Sequence, residues 1–354
     1  MKRILLVIAA LLFLLLAGGF VAFKASPWPS VWLLGKLMND QGDASSHALI
    51  PHVPPGIVSR LDLRYGEQAD ERFDLFLPPN ADRPLPAIVW IHGGGFISGN
   101  KEAVANYIRI LASHGYAGVS LEYAKGRGHP YPVPVQQVNA ALGYLVTHAA
   151  ELGIDPDVLV LAGDSAGAQI ASQVALLTTD PAYAARLGIA PTIPPERLRA
   201  LVLASGAFDL GKLHYEGKGS WLTNTMMWAY TGKRRFLDDP DVMLASINQH
   251  VTAAFPPSFI ASGNADPLEP QARRLVARLD TLGVPTTSVF FDKDHAPAQP
   301  HEFQFNLDGD EGRRTLEAMM EFLRARAPSP ETGEPTGQPD SDRSSAGMRT
   351  TFAG

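Results

Sequence analysis

The chain has no cysteine among its 354 residues. That excludes disulfide bridges, thiol nucleophiles and cysteine-held zinc, while naming no redox compartment. A surplus of basic charge is missing too: 30 Lys and Arg stand against 36 Asp and Glu, a net charge of -6. With no cationic excess to neutralise a phosphate backbone, nucleic acid is not an expected partner. No metal-ligand spacing stands out. Asp292, Asp294 and His295 lie close in sequence but fit a solvated charge cluster, so neither metal nor other cofactor is expected. No internal repeat is present. What the chain does have is apolar content: 45% of its residues are hydrophobic, enough for a sizeable core without covalent staples.

One long uncharged run occurs, at the N-terminus. Met1-Lys2-Arg3 precedes residues 4–23, and Lys24 closes the run. About 20 apolar residues in a helix span a hydrocarbon core of about 30 Å. The run is apolar all round, unlike a surface helix of a soluble protein. Residues 1–25 therefore read as a signal anchor, with a cleaved signal peptide as the alternative, since Ala17-Gly18-Gly19 offers a small-residue site. The cationic head predicts a cytoplasmic N-terminus and an exported body, periplasmic or extracellular.

Three zones follow. Residues 26–56 form an amphipathic linker or cap segment, in which Trp28 and Trp32 suit a membrane interface or a lid over a pocket. Residues 57–326 alternate short apolar runs with helical patterns. Strands are expected at 72–77, 87–91, 118–121, 158–162, 201–204, 258–261 and 286–291. Helices are expected at 101–114, 135–152, 165–178, 269–282 and 312–325. Apolar runs without polar alternation suit strands buried on both faces. The fold class is thus α/β, a mostly parallel sheet with helices on both faces. Residues 209–257 are too long for a plain connection and read as a helical insertion near the site. Residues 327–354, rich in Pro, Ser, Thr and Gly, read as a disordered tail.

The chemistry concentrates in two glycine-rich turns. Gly163-Asp164-Ser165-Ala166-Gly167 follows one expected strand and opens the next helix. A sharp strand-to-helix bend lifts a serine hydroxyl above the sheet edge, and its glycines are needed because side chains there would clash. His92-Gly93-Gly94-Gly95-Phe96 follows an earlier strand, and its glycines let backbone amides approach a ligand. Such amides stabilise an oxyanion, one donor contributing about 2.7–4 kcal/mol. The amide of Ala166, at a helix N-terminus, adds a donor. A serine nucleophile needs a base and an acid to orient that base, in the order Ser, acid, His. Four histidines follow Ser165: His214, His250, His295 and His301. His214 and His250 precede every suitable acid. His301 is preferred over His295, which sits in the hydrophilic stretch Asp292-Lys293-Asp294. Asp266, after the strand at 258–261, is the preferred acid, with Glu269 and Asp292 behind it. It equally suits a helix N-cap. Asp164 and His92 read as supporting residues, one organising hydrogen bonds around the bend, the other fixing the glycine loop.

At these residues the chain resembles the hormone-sensitive-lipase-like branch of α/β-hydrolases, bacterial esterases bearing His-Gly-Gly-Gly and Gly-Asp-Ser-Ala-Gly, over residues 60–326. Asp266-Pro267-Leu268 is similar to the family's acid motif, His301-Glu302-Phe303 to its His-x-Phe, and Tyr131-Pro132-Val133-Pro134 to its aromatic-Pro segment. Glu122-Tyr123-Ala124-Lys125-Gly126-Arg127 departs from the usual Asp-Tyr-Arg-Leu-Ala-Pro. The resemblance implies the α/β-hydrolase fold, with Gly94 and Gly95 as oxyanion donors and Gly93 supporting. It implies cofactor-free hydrolysis of small or medium acyl esters by Ser165, His301 and Asp266. An amide or arylformamide hydrolase, a lipase, or a silent binding protein of the same fold are the competing expectations.

Overall fold

The computed structural model describes residues 2–79, 81–126, 128–329 and 349–352. Two helices lead, α1 (Lys2–Ala25) and α2 (Trp28–Ala48), followed by a strand pair, β1 (Val58–Arg64) and β2 (Arg72–Leu77). Strands and helices then alternate: β3 (Leu85–Ile91), α3 (Lys101–Ala112), β4 (Ala117–Leu121), α4 (Val133–Thr147), α5 (Ala149–Leu152), β5 (Ile154–Asp164), α6 (Ser165–Thr179), α7 (Pro181–Leu187) and β6 (Leu198–Ala204). Next come α8 (Ser220–Thr231), α9 (Pro240–Met243), β7 (Ser258–Ala261), α10 (Glu269–Thr281), β8 (Thr286–Phe291), α11 (Asp310–Arg326) and β9 (Arg349–Phe352).

The strands form one sheet in the order β1-β2-β4-β3-β5-β6-β7-β8-β9. Among the described residues, only the β1–β2 and β2–β4 pairings are antiparallel. Period-two geometry sends alternate side chains of the central strands to opposite faces. Ala87, Val89 and Ile91 of β3 join a core shared with α4, α6 and α10, while Ile88 and Trp90 join a second core with α3 and α11. Both faces of the strand are covered, which is why its sequence is a continuous apolar run. From β3 the chain steps to β4 on one side and later to β5 on the other. That reversal leaves a crevice outside the carboxyl ends of β3 and β5, the usual ligand position in an open α/β sheet.

The α/β architecture expected from the sequence is the one observed, with differences in detail. The helix expected at 135–152 is broken at His148 into α4 and α5. The amphipathic segment after α1 is a single 21-residue helix, α2. Strand β1 went unanticipated because it is an edge strand with largely exposed side chains. The tail reading needs correction at both ends. Ala327 and Ser329 are buried, and the Ser329 hydroxyl donates to the Gly115 carbonyl at 2.7 Å. Residues 349–352 pair in parallel with β8 through backbone bonds that composition does not reveal. Residues 330–348 and 353–354 of that tail, and Arg127, lie outside the described residues.

Candidate active site

Strand β5 ends at Asp164 and helix α6 begins at Ser165, whose φ is +50°. A non-glycine residue in this region stores strain, and tight surroundings hold it there. A Cβ added at Gly163 would lie 2.6 Å from the Gly167 backbone, and one at Gly167 would lie 2.0 Å from the Ile91 carbonyl. The helix therefore approaches β3 at a distance only glycine allows, and the bend cannot relax.

Asp164 links this bend to the glycine loop after β3. Its Oδ1 accepts from the Trp90 indole at 2.7 Å, and its Oδ2 accepts from the Gly93 amide at 2.7 Å. The Gly93 N–H is thereby engaged within the fold. Burial and the neighbouring Glu302 carboxyl push the Asp164 carboxyl well above its ordinary value, with the Trp90 bond opposing them. Gly94, Gly95 and Phe96 all have positive φ, giving the loop its tight curl. Gly95 and Ala166 line the same cleft as Ser165. The Ala166 amide, in the first turn of α6, has no acceptor within its own helix.

The loop is braced from behind. His92 is buried, its Nδ1 lies 2.7 Å from the Gly93 carbonyl, and its ring stacks on Tyr123. Its Nε2 lies 3.2 Å from Glu122, which also pairs with Lys125. Burial works against the Glu122 charge, yet the bond from His92 and the charges of His92 and Lys125 lower it to about 2. Glu122 and Lys125 belong to the stretch that departs from the family pattern, so the departure supplies a partly buried ion pair.

Ser165, His301 and Asp266 meet at the floor of the cleft. His301 Nε2 is 3.0 Å from Ser165 Oγ, and its Nδ1 is 2.9 Å from Asp266 Oδ1. Asp266 also accepts from the Leu268 amide at 2.8 Å and the Ser262 hydroxyl at 2.9 Å. Burial alone would raise its carboxyl, but the bond from His301 leads a set of contacts that hold it below the ordinary value. Burial likewise disfavours a charged imidazole at His301. The Asp266 hydrogen bond and the negative charges of Glu302, Asp266 and Asp164 outweigh that effect and raise it to about 9.

The other candidates are elsewhere. His295 lies 3.1 Å from Glu311 and packs against Phe291, so it is half-buried rather than a solvated turn residue. Glu269 pairs with Arg273, and Asp292 is exposed. His214 lines the outer part of the cleft, and His250 lies 3.4 Å from the Met243 carbonyl.

Sequence reasoning missed Glu302. Its φ is +60°, its amide donates to the Ser205 hydroxyl at 3.1 Å, and its Oε1 is 3.6 Å from His301 Nε2. Its adjacency to His301 was visible, but the backbone turn that aims its carboxyl inward was not.

The cleft has a volume of about 780 Å³. Helix α2 supplies Met38, and α8 supplies Leu222, Met226 and Met227. An apolar cavity with a hydroxyl, an imidazole and backbone amides at its floor can hold an acyl group and carry out acyl transfer.

Comparison with known proteins bears on the fold and the family. Among solved structures, esterase B from Lactobacillus rhamnosis superposes with a TM-score of 0.71 at 23% identity, covering 84% of this chain and 95% of that one. The esterase of Pyrobaculum calidifontis gives 0.66 at 22%, covering 84% and 94%. These likenesses establish the α/β-hydrolase fold. Among curated sequences, esterase LipQ of Mycobacterium tuberculosis is 26% identical over 77% of this chain and 65% of its own length. LipM of the same organism, a probable carboxylic ester hydrolase, is 29% identical over 62% and 51%. The chain thus spans between half and two thirds of these two relatives. The family model BD-FAE matches residues 73–279, more than half of the chain and both glycine turns. This protein belongs to the BD-FAE family and carries the α/β-hydrolase fold.

Proposed function

We propose that this protein hydrolyses carboxylic esters of small or medium acyl groups through Ser165, His301 and Asp266. One observation carries the reading: an unbroken hydrogen-bonded chain from Asp266 through His301 to Ser165, 2.9 and 3.0 Å long at its two links, at the floor of an open apolar cleft. Its relatives include esterases, and the versiconal hemiacetal acetate esterase of Dothistroma septosporum is 27% identical over 73% of this chain.

In the reaction, neutral His301 takes the Ser165 proton through Nε2 as Oγ attacks the ester carbonyl. Asp266 keeps the other imidazole proton on Nδ1 and stabilises the imidazolium that forms. Amides of Gly94, Gly95 and Ala166 receive the oxyanion. His301 then protonates the leaving alcohol, and water activated by the same imidazole releases the acid. Labelling by a fluorophosphonate probe tests the assignment. The wild type should be modified at Ser165 and the Ser165→Ala variant should not; modification elsewhere, or none in the wild type, overturns it.

The anchor belongs to the same proposal. Helix α1 has 24 residues with none buried, and is long and apolar enough to cross a membrane. Lys2 and Arg3 at its start favour a cytoplasmic N-terminus and an exported catalytic domain. The intact mass of the protein from a membrane fraction tests this, since removal of α1 would show cleavage.

A further inference from the structure

Only Ser26 and Pro27 separate α1 from α2, so the start of α2 must lie at the surface of any bilayer that α1 crosses. The large apolar side chains on the outer face of α2 are confined to that half, where Lys36 is the one exposed charge. Trp32, Leu33 and Leu37 are 73%, 47% and 58% exposed. Farther along, the outward residues become Asp40, Gln41 and Asp43. An isolated soluble domain gains nothing from this gradient. A helix dipping its first turns into an interface requires it.

Helix α8 extends the same surface. Trp221 is 56% exposed and lines a groove with Trp228 and Arg234, closed on its other side by Phe20, Phe23 and Lys24 of α1. The opposite side of α8, through Leu222 and Met226, lines the catalytic cleft. One helix thus separates the anchor from the acyl cavity. Basic side chains flank this surface: Lys24 and Arg234 line the groove and Lys36 is exposed on α2, while Lys212 and Lys233 are taken up by Asp209 and Asp239. The cations at the groove suit anionic headgroups.

We propose that the outer faces of α2 and α8 dock on an anionic lipid bilayer, and that the cleft takes acyl esters dissolved in it. This rests on the ester-hydrolase reading of Ser165 and narrows its substrate to esters that partition into lipid. Aromatic and aliphatic side chains at the headgroup level bring the cleft mouth near Gly219 to the depth where the ester bonds of such molecules lie.

The test uses the full chain reconstituted in vesicles of phosphatidylethanolamine and phosphatidylglycerol. A fluorogenic medium-chain acyl ester of a lipid-anchored alcohol is embedded in the vesicles, and p-nitrophenyl acetate is supplied in solution. Trp32→Ser with Leu37→Ser, and separately Trp221→Ser, should lower turnover of the embedded ester about tenfold or more. Turnover of the soluble ester should stay within about twofold. Equal rates of wild type and variants on the embedded ester overturn the docking proposal, as does an equal loss on both esters. Failure of the wild type on both esters instead removes the underlying hydrolase reading.

A second measurement does not depend on those variants folding. Because the chain has no cysteine, Leu37→Cys and Asp43→Cys each give one site for a nitroxide. The label at position 37 should be open to oxygen and shielded from an aqueous nickel relaxant, and the label at 43 the reverse. Aqueous exposure at both positions, or spin coupling between chains at position 37, overturns the proposal.

Discussion

The floor of the cleft and its walls are built on opposite terms. At the floor, each acting side chain is held by backbone or by another buried group. Ser165 is pinned by a helix–strand approach that only glycine permits, Asp266 accepts three hydrogen bonds, and His92 is clamped between Gly93, Tyr123 and Glu122. At the walls, Leu222 and Met226 are held by dispersion, and Met38 by dispersion and one weak bond from the Ser98 hydroxyl to its sulfur, on helices whose outer faces are exposed. The contrast shows where specificity can change without damage to chemistry. Thioether and aliphatic walls tolerate substitution, whereas a strained bend does not.

That contrast can be broken or sharpened by four measurements. The largest effect is expected at Ser165. Its alanine variant should lose about 10^4-fold or more in kcat/KM for a p-nitrophenyl ester, with an unchanged melting temperature. His301→Ala should match it, and His295→Ala should retain most activity; the opposite pattern would move the base to His295. Next is Asp164→Ala, which releases Trp90 and Gly93 together. A fall in kcat of about 10^2-fold is expected, comparable to losing an oxyanion donor, together with a lower melting temperature. An unaltered kcat would show that the floor does not need this link.

At the walls, Met226→Ala should leave kcat for acetate esters nearly unchanged. It should shift preference toward longer acyl chains by about tenfold, the scale of one or two methylenes. A loss on all chain lengths would mean that α8 supports the floor after all. The smallest effect concerns pH. The reaction needs neutral His301, whose imidazole is raised to about 9, so kcat/KM should climb through the neutral range and level off only in the alkaline range. Glu302→Gln removes a negative charge that favours the imidazolium. The rising limb should therefore move toward lower pH, by about one unit. A limb that stays in place would assign the elevation to Asp266 and Asp164.

Much of the floor is legible in the sequence. Glycine patterns report backbone demands directly, so the turns at 92–96 and 163–167 could be read as an amide loop and a strained bend. Strand ends ordered the acid and the base, which led to Asp266 and His301. Other features depend on contacts between distant segments, and no local pattern encodes them. Trp90 holding Asp164 looks like any core tryptophan in sequence. Glu122 and Lys125 looked like a departure from a motif, and they are a brace under His92. The inward aim of Glu302 follows from a positive φ that a glutamate does not announce. Helix α2 was underestimated because its polar second half hides the continuity of its inner face, where Val31, Gly35 and Ser46 are buried.

Asp164 grips two strands' worth of machinery at once, the indole inside β3 and the first amide of the loop beyond it. The gap between the attacking oxygen and the amides that receive the charge is therefore fixed when the chain folds, before any ester arrives. Bulky and slender substrates meet the same spacing. Differences among them should show in how well they seat, and hence in KM, while the intrinsic rate of bond breaking varies little across acyl groups that fit.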